Sequence, residues 1–248
     1  MVQGLRRLSP VLVAGLLLSG CVWVTVGGGE ETPEPSPTPV PAATASPGGG
    51  PTHVMGSGRV EVEQREVAGF DRVTINGPAE LFIEQAGEES LSVEAEDNLL
   101  GLLISQVSDG RLALGVGPNT GITATRPIIF RLKVRSLRQL EASGTGRVSA
   151  VRLDAPELRI ETSGSVKGVF AGRAAQQEIS LSGTGTFDGR NLQGERASVD
   201  ASGTGEAIVN VSGSLDARVS GTASVRYLGN PQVGRRVSGL GSVERLET

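Results

Sequence analysis

The charged and hydroxyl side chains of this sequence fall into columns rather than into a compact constellation. Glu141 and Glu161 stand 20 residues apart, each two residues before a Ser-Gly step, and Ser180, Asp200, Arg218 and Arg236 hold the same place before later steps. Stacked about 5 Å apart, two such carboxylates would resemble the pair that glycoside cleavage uses. Arg147 and Lys167 follow six residues behind the two glutamates and would share a different face. The Ser-Gly-Thr-Gly steps have the glycine content of a phosphate cradle, but such a cradle needs a helix behind it, and no helical period follows. The one histidine, His53, lies in a Pro/Gly-rich stretch that reads as a tether, which leaves no positioned base. Metal-type Cys/His spacing and a Gly-x-Ser-x-Gly elbow are both missing from the sequence. No catalytic residue, metal or cofactor is expected; the pattern points to a surface that binds.

The elements that would hold these columns repeat. Ser143-Gly144, Ser163-Gly164, Ser182-Gly183, Ser202-Gly203, Ser220-Gly221 and Ser238-Gly239 recur at intervals of 20, 19, 20, 18 and 18 residues. A period near 20 marks units that bury their apolar faces only against their neighbours. Before each serine two residues alternate inward: Leu140 and Ala142, Ile160 and Thr162, Ile179 and Leu181, Val199 and Ala201, Ala217 and Val219. Period two with one apolar face describes a half-buried strand. The expected fold is an all-β parallel solenoid with rungs of 18–20 residues, each Ser-Gly a structural corner. Glycine there takes positive φ and lets rungs approach closely. The Ser column and Thr145, Ser165, Thr184 and Thr204 behind it are placed to form hydroxyl ladders. Glu141, Glu161, Asp200, Arg218 and Arg236 then make a candidate binding face, acidic at one end and basic at the other.

The front of the folded part, from Arg59, is less regular. Strands are expected at Arg59–Glu63, Arg72–Ile75, Ala79–Gln85, Ser90–Glu96 and Ile128–Val134, with Leu91, Val93 and Ala95 on one face. Asp97 is placed to cap a single helical turn running to Leu103. Asp109-Gly110 turns the chain into Arg111–Leu114, and Pro118 with Gly121 marks an exposed loop.

Ahead of all this, Arg6-Arg7 precedes the apolar run Leu8–Leu18, followed by Leu18-Ser19-Gly20-Cys21. This resembles a bacterial lipoprotein signal, in which residues 1–20 are removed and Cys21, the only cysteine, is acylated. The apolar run is too short to span a bilayer, and a lone cysteine allows no internal disulfide. Two or three acyl chains at Cys21 would give stable membrane anchoring where one would not. Residues 21–58 read as a disordered tether, with seven prolines between Pro33 and Pro51 among Gly, Ser, Thr and Ala. The formal net charge is −4, and −6 once Arg6 and Arg7 are removed, which excludes the basic footprint of a nucleic-acid binder. Aromatics at 3% argue against an aromatic-lined pocket.

Val67-Ala68-Gly69-Phe70-Asp71-Arg72-Val73, Asp97-Asn98-Leu99-Leu100 and Asp109-Gly110-Arg111-Leu112, followed by the Ser-Gly-Thr-Gly repeats, together resemble the "putative auto-transporter adhesin, head GIN domain" family of bacterial envelope proteins. The resemblance implies a right-handed parallel β-helix over residues 59–248, anchored outside the cytoplasm, and it carries over no catalytic residue. The implied function is binding or adhesion, with a glycan or an envelope protein as partner. A spacer without ligand and a polysaccharide-active enzyme are the alternatives.

Overall fold

Most of the chain becomes strand because each short run has one aliphatic face to bury and one polar face to leave in water. In the computed structural model, which describes residues 52–247, the elements in chain order are β1 (Thr52–Met55), β2 (Val60–Arg65), β3 (Arg72–Asn76), β4 (Ala79–Gln85) and β5 (Ser90–Glu96). Then follow the helical turn α1 (Asp97–Leu100), β6 (Leu103–Ser108), β7 (Arg111–Val116), β8 (Thr120–Thr123) and β9 (Ile129–Val134). Three long extended runs come next: β10 (Gln139–Gly183), β11 (Thr186–Gly203) and β12 (Glu206–Gly221). The chain closes with β13 (Ser224–Leu228), β14 (Gln232–Gly239) and β15 (Ser242–Arg245). The signal segment, Cys21 and the tether as far as residue 51 lie outside the described residues.

The rear half pairs in parallel throughout. Val199 of β11 lies opposite Ile179 of β10 and Ala217 of β12, and Gly183, Gly203, Gly221 and Gly239 form one column. Each long run turns a corner and pairs on both sides of it. Thus β10 places Leu140 opposite Val73 of β3 and, past its Ser143-Gly144 corner, Val148 opposite Leu81 of β4. The inward columns are filled: Val73, Leu140, Ile160, Ile179, Val199 and Ala217 are all buried, as are Ala142, Thr162, Leu181, Ala201 and Val219. Phe170 and Phe187 stack inside with ring centroids 4.8 Å apart.

Spatial order and chain order part company in the front half. Parallel β7 and β9 lie beneath β3 and β4, so residues 111–134 form the layer below residues 72–85 although they follow them in sequence. Antiparallel strands close that end: β6 on β7, β5 on β9, and β2 on β5. Of the two registers open to Ile128–Val134, the structure takes the one that buries Ile128, Phe130, Leu132 and Val134.

Three expectations need correction. The tether does not extend to residue 58, because Thr52–Met55 forms β1 and pairs in parallel with Thr120–Thr123. That pairing also puts Gly121 into a strand instead of the expected loop. The strand expected at Arg59–Glu63 is present as β2, and its alternation buries neither face: it is an edge strand with Glu61 and Glu63 opposite Ala95 and Val93, where charge blunts the edge. The helical turn stops at Leu100 because Leu103 is already paired with Val116, and Asp97 lies inside the turn after Glu96.

Candidate functional site

The polar residues before each Ser-Gly corner lie side by side on one face. Ser180 is opposite Asp200, Asp200 opposite Arg218, and Arg218 opposite Arg236, while Glu141 faces Thr74 of β3. An open groove of about 250 Å³ runs along the acidic part, with Thr74, Glu141, Glu161, Ser180 and Asp200 on one wall. Asn76, Ser143, Ser163, Ser182 and Ser202 form the other. Arg218 and Arg236 continue the column beyond the groove.

The serines are held by the rung behind them. Ser182 Oγ donates to the carbonyl of Thr162 at 3.3 Å, and Ser202 Oγ to that of Leu181 at 3.2 Å. Ser143 Oγ donates to Asn76 Oδ1. The hydroxyl-to-hydroxyl contact expected of a ladder is made by Thr222 Oγ1 on Thr204 Oγ1 at 3.2 Å. At Gly144, Gly164, Gly183, Gly203, Gly221 and Gly239 φ is positive, and a Cβ at Gly183 or Gly203 would overlap the carbonyl oxygen of the glycine one rung below. The corners are therefore built by close backbone approach.

The glutamates do not stand as a bare acidic pair. Glu141 accepts from Arg111 Nη1 at 2.6 Å and from Gln139 Nε2 at 2.8 Å. Glu161 accepts from Arg159 Nε at 2.6 Å, and Gln139 reaches it too at 3.5 Å. Arg159 spans to Glu178 at 3.3 Å, and its guanidinium is held more firmly charged by Glu161 first and Glu178 second. Both carboxylates are thus engaged by arginine and glutamine donors. Asp200 has no ion-pair partner among the described residues, and Arg218 pairs with Asp216 at 3.4 Å.

The family described as "Putative auto-transporter adhesin, head GIN domain" matches residues 69–231. The chain belongs to this family. The crystal structure of a "putative adhesin" from Bacteroides fragilis superposes on this head GIN chain with a TM-score of 0.62 at 19% identity, covering 77% of this chain and 99% of that one. A "putative adhesin" from Parabacteroides merdae gives 0.57 at 20% identity, covering 79% and 100%. A "putative lipid binding protein" from Parabacteroides distasonis gives 0.52 at 20% identity, again covering 79% and 100%. At these identities the likeness is one of fold. The comparison with curated proteins yields no match.

Reading one column of the head GIN face missed its neighbour. Two residues earlier stand Arg72, Gln139, Arg159, Glu178, Ser198 and Asp216, in register from β3 to β12. The same spacing that revealed the first column contains this second one. Arg111, by contrast, reaches Glu141 from β7, and no local signal marks that contact. Arg147 and Lys167 lie together on another groove with Pro78 and Pro127, and Arg147 faces Glu80 at 3.8 Å.

Proposed function

We propose that this chain is a lipid-anchored, extracytoplasmic β-solenoid whose Ser-Gly face binds a hydroxyl-rich ligand of the cell envelope, a glycan or peptidoglycan. The observation that carries this reading is the groove in which the hydroxyls of Ser143, Ser163, Ser182 and Ser202 recur from rung to rung beside the carboxylates of Glu141, Glu161 and Asp200. Parallel strands stack about 4.8 Å apart, so the groove offers a linear ligand a serine hydroxyl at each step. Family membership supports a role at the cell surface, and the neighbours of like fold are described as adhesins or binding proteins. Cys21 would fix the chain to the membrane through its lipid, and the Pro-rich stretch would set the groove away from the bilayer. Such a shallow polar face, poor in aromatics, suits weak contacts summed over many anchored copies. Filled inward columns favour ligand at the surface over lipid in the interior.

The chain from Val22 onward, which contains every described residue, is the material for the test. Incubated with peptidoglycan and with an array of envelope polysaccharides, it should be retained by at least one. Ser182→Arg with Ser202→Arg should abolish retention while leaving the melting curve in place. Failure of the parent chain to bind any of them at its highest soluble concentration would favour the spacer reading, and shortening of a glycan would favour the enzyme.

A further inference from the structure

Away from the Ser-Gly face, a dense set of polar contacts ties the chain to itself. Glu96 is only 1% exposed. Its Oε1 accepts from the Gly58 N–H and from Thr125 Oγ1, both at 2.6 Å. Its Oε2 accepts from the N–H groups of Thr125 at 2.9 Å and Arg126 at 3.4 Å. Next to it, Asp97 accepts from Ser57 Oγ and from Arg59 Nε, the latter at 2.7 Å. Asn98 completes the set, accepting from the Ser57 N–H at 3.0 Å and donating to the Met55 carbonyl at 2.8 Å. Three consecutive side chains thus grip residues 55–59.

The gripped segment is shaped for this. A Cβ on Gly56 would overlap the Glu96 carboxylate, and Gly58 has φ +82°. These glycines, which read in the sequence as part of a flexible linker, permit close approach and a turn. Ahead of them, β1 pairs only with β8 in a two-stranded sheet separate from the main one. His53 and Met55 are exposed, so little apolar burial holds the segment and polar bonds must do so.

We infer that residues 52–59 form a strap, buckled to the body by Glu96, Asp97 and Asn98, that opens and closes independently of the stacked core and fixes where the preceding chain leaves it. Local segments with few apolar contacts open below the global unfolding free energy. Glu96 is the buckle's centre because it joins the strap to the 125–126 loop at once.

Glu96 is held below the usual carboxylate range, first by Thr125 Oγ1, and Asp97 likewise, first by Ser57 Oγ and then by Arg59. The charged groups near them are Arg59 of the strap, Arg126 of the loop, and Glu61, which acts on Arg59, while the titratable His53 of the strap lies against Thr123. Lowered folded values mean that the buckle's contribution is complete above the ordinary carboxylate pKa and is lost as pH falls through the depressed values. The strap therefore stays closed at neutral pH and loosens in acid.

Hydrogen exchange on the chain from Val22 onward tests this, together with trypsin cleavage after Arg59. Glu96→Gln should speed exchange at Gly58 and Thr125 on the order of tenfold or more, since one of the two accepting oxygens becomes an NH2 that cannot accept. Exchange at Val199 in β11 should not change, and in the parent chain acid should lower the protection factors of the same strap amides once the slower intrinsic exchange at low pH is divided out. Should Glu96→Gln fail to fold, Ser57→Ala with Asn98→Ala removes strap contacts alone and decides the matter by the same readout. Strap amides that keep parental rates in these variants would overturn the proposal. So would strap and β11 amides that accelerate together.

Discussion

Gln177 stands where its column otherwise has Ala197 and Leu215, and it is 4% exposed. Its Nε2 donates at 3.4 and 3.3 Å to the carbonyls of Ala174 and Leu192, while Oε1 has no partner. An unsatisfied buried oxygen costs about 1–3 kcal/mol, more than two long hydrogen bonds return. Gln177→Leu should therefore raise the unfolding free energy by about 1 kcal/mol in urea titration; a loss would show that the two carbonyls depend on the amide. At this scale the sequence is legible where placement follows spacing, as with Glu141 and Glu161. It is opaque where a partner arrives from far away. Arg111 neutralises Glu141 from 30 residues upstream, and nothing near either residue announces it.

Corners are the elements on which the stack depends. Gly203 has φ +101°, and any side chain there would collide with the Gly183 carbonyl. Gly203→Ala combines backbone strain with that overlap and should cost about 1–3 kcal/mol. The measurement is a lower urea midpoint at unchanged slope, and a midpoint equal to that of the parent would remove the close-approach argument. The Ser-Gly period made these corners readable, since each is local chemistry repeated. β1 was not readable: its four residues pair with Thr120–Thr123, and their prolines and glycines nearby signal a linker. What makes that stretch a strand is an edge supplied by β8 and a buried carboxylate supplied by Glu96.

At the scale of the whole molecule, the last described rung carries charge where earlier rungs are aliphatic. Arg235 follows Ala217 in the aliphatic column, Arg236 flanks it, and beyond them Leu240 is 89% exposed. Charge at an inward position of an edge strand discourages another strand from pairing there. Arg235→Val should make the chain associate more strongly than the parent with rising concentration in sedimentation velocity. A variant that sediments as the parent does would remove Arg235 from that role.

Alternation and the recurring Ser-Gly step were enough to establish short half-buried strands, their corners, and the parallel order of residues 139–239, because there each rung's neighbour in space is also its neighbour in sequence. Only the tertiary structure decided that residues 111–134 lie beneath residues 72–85, which arginines hold the acidic column, and that residues 52–59 are fastened to the body. Those outcomes depend on which distant surfaces bury each other and which distant donors meet a carboxylate, and no local pattern encodes such a choice.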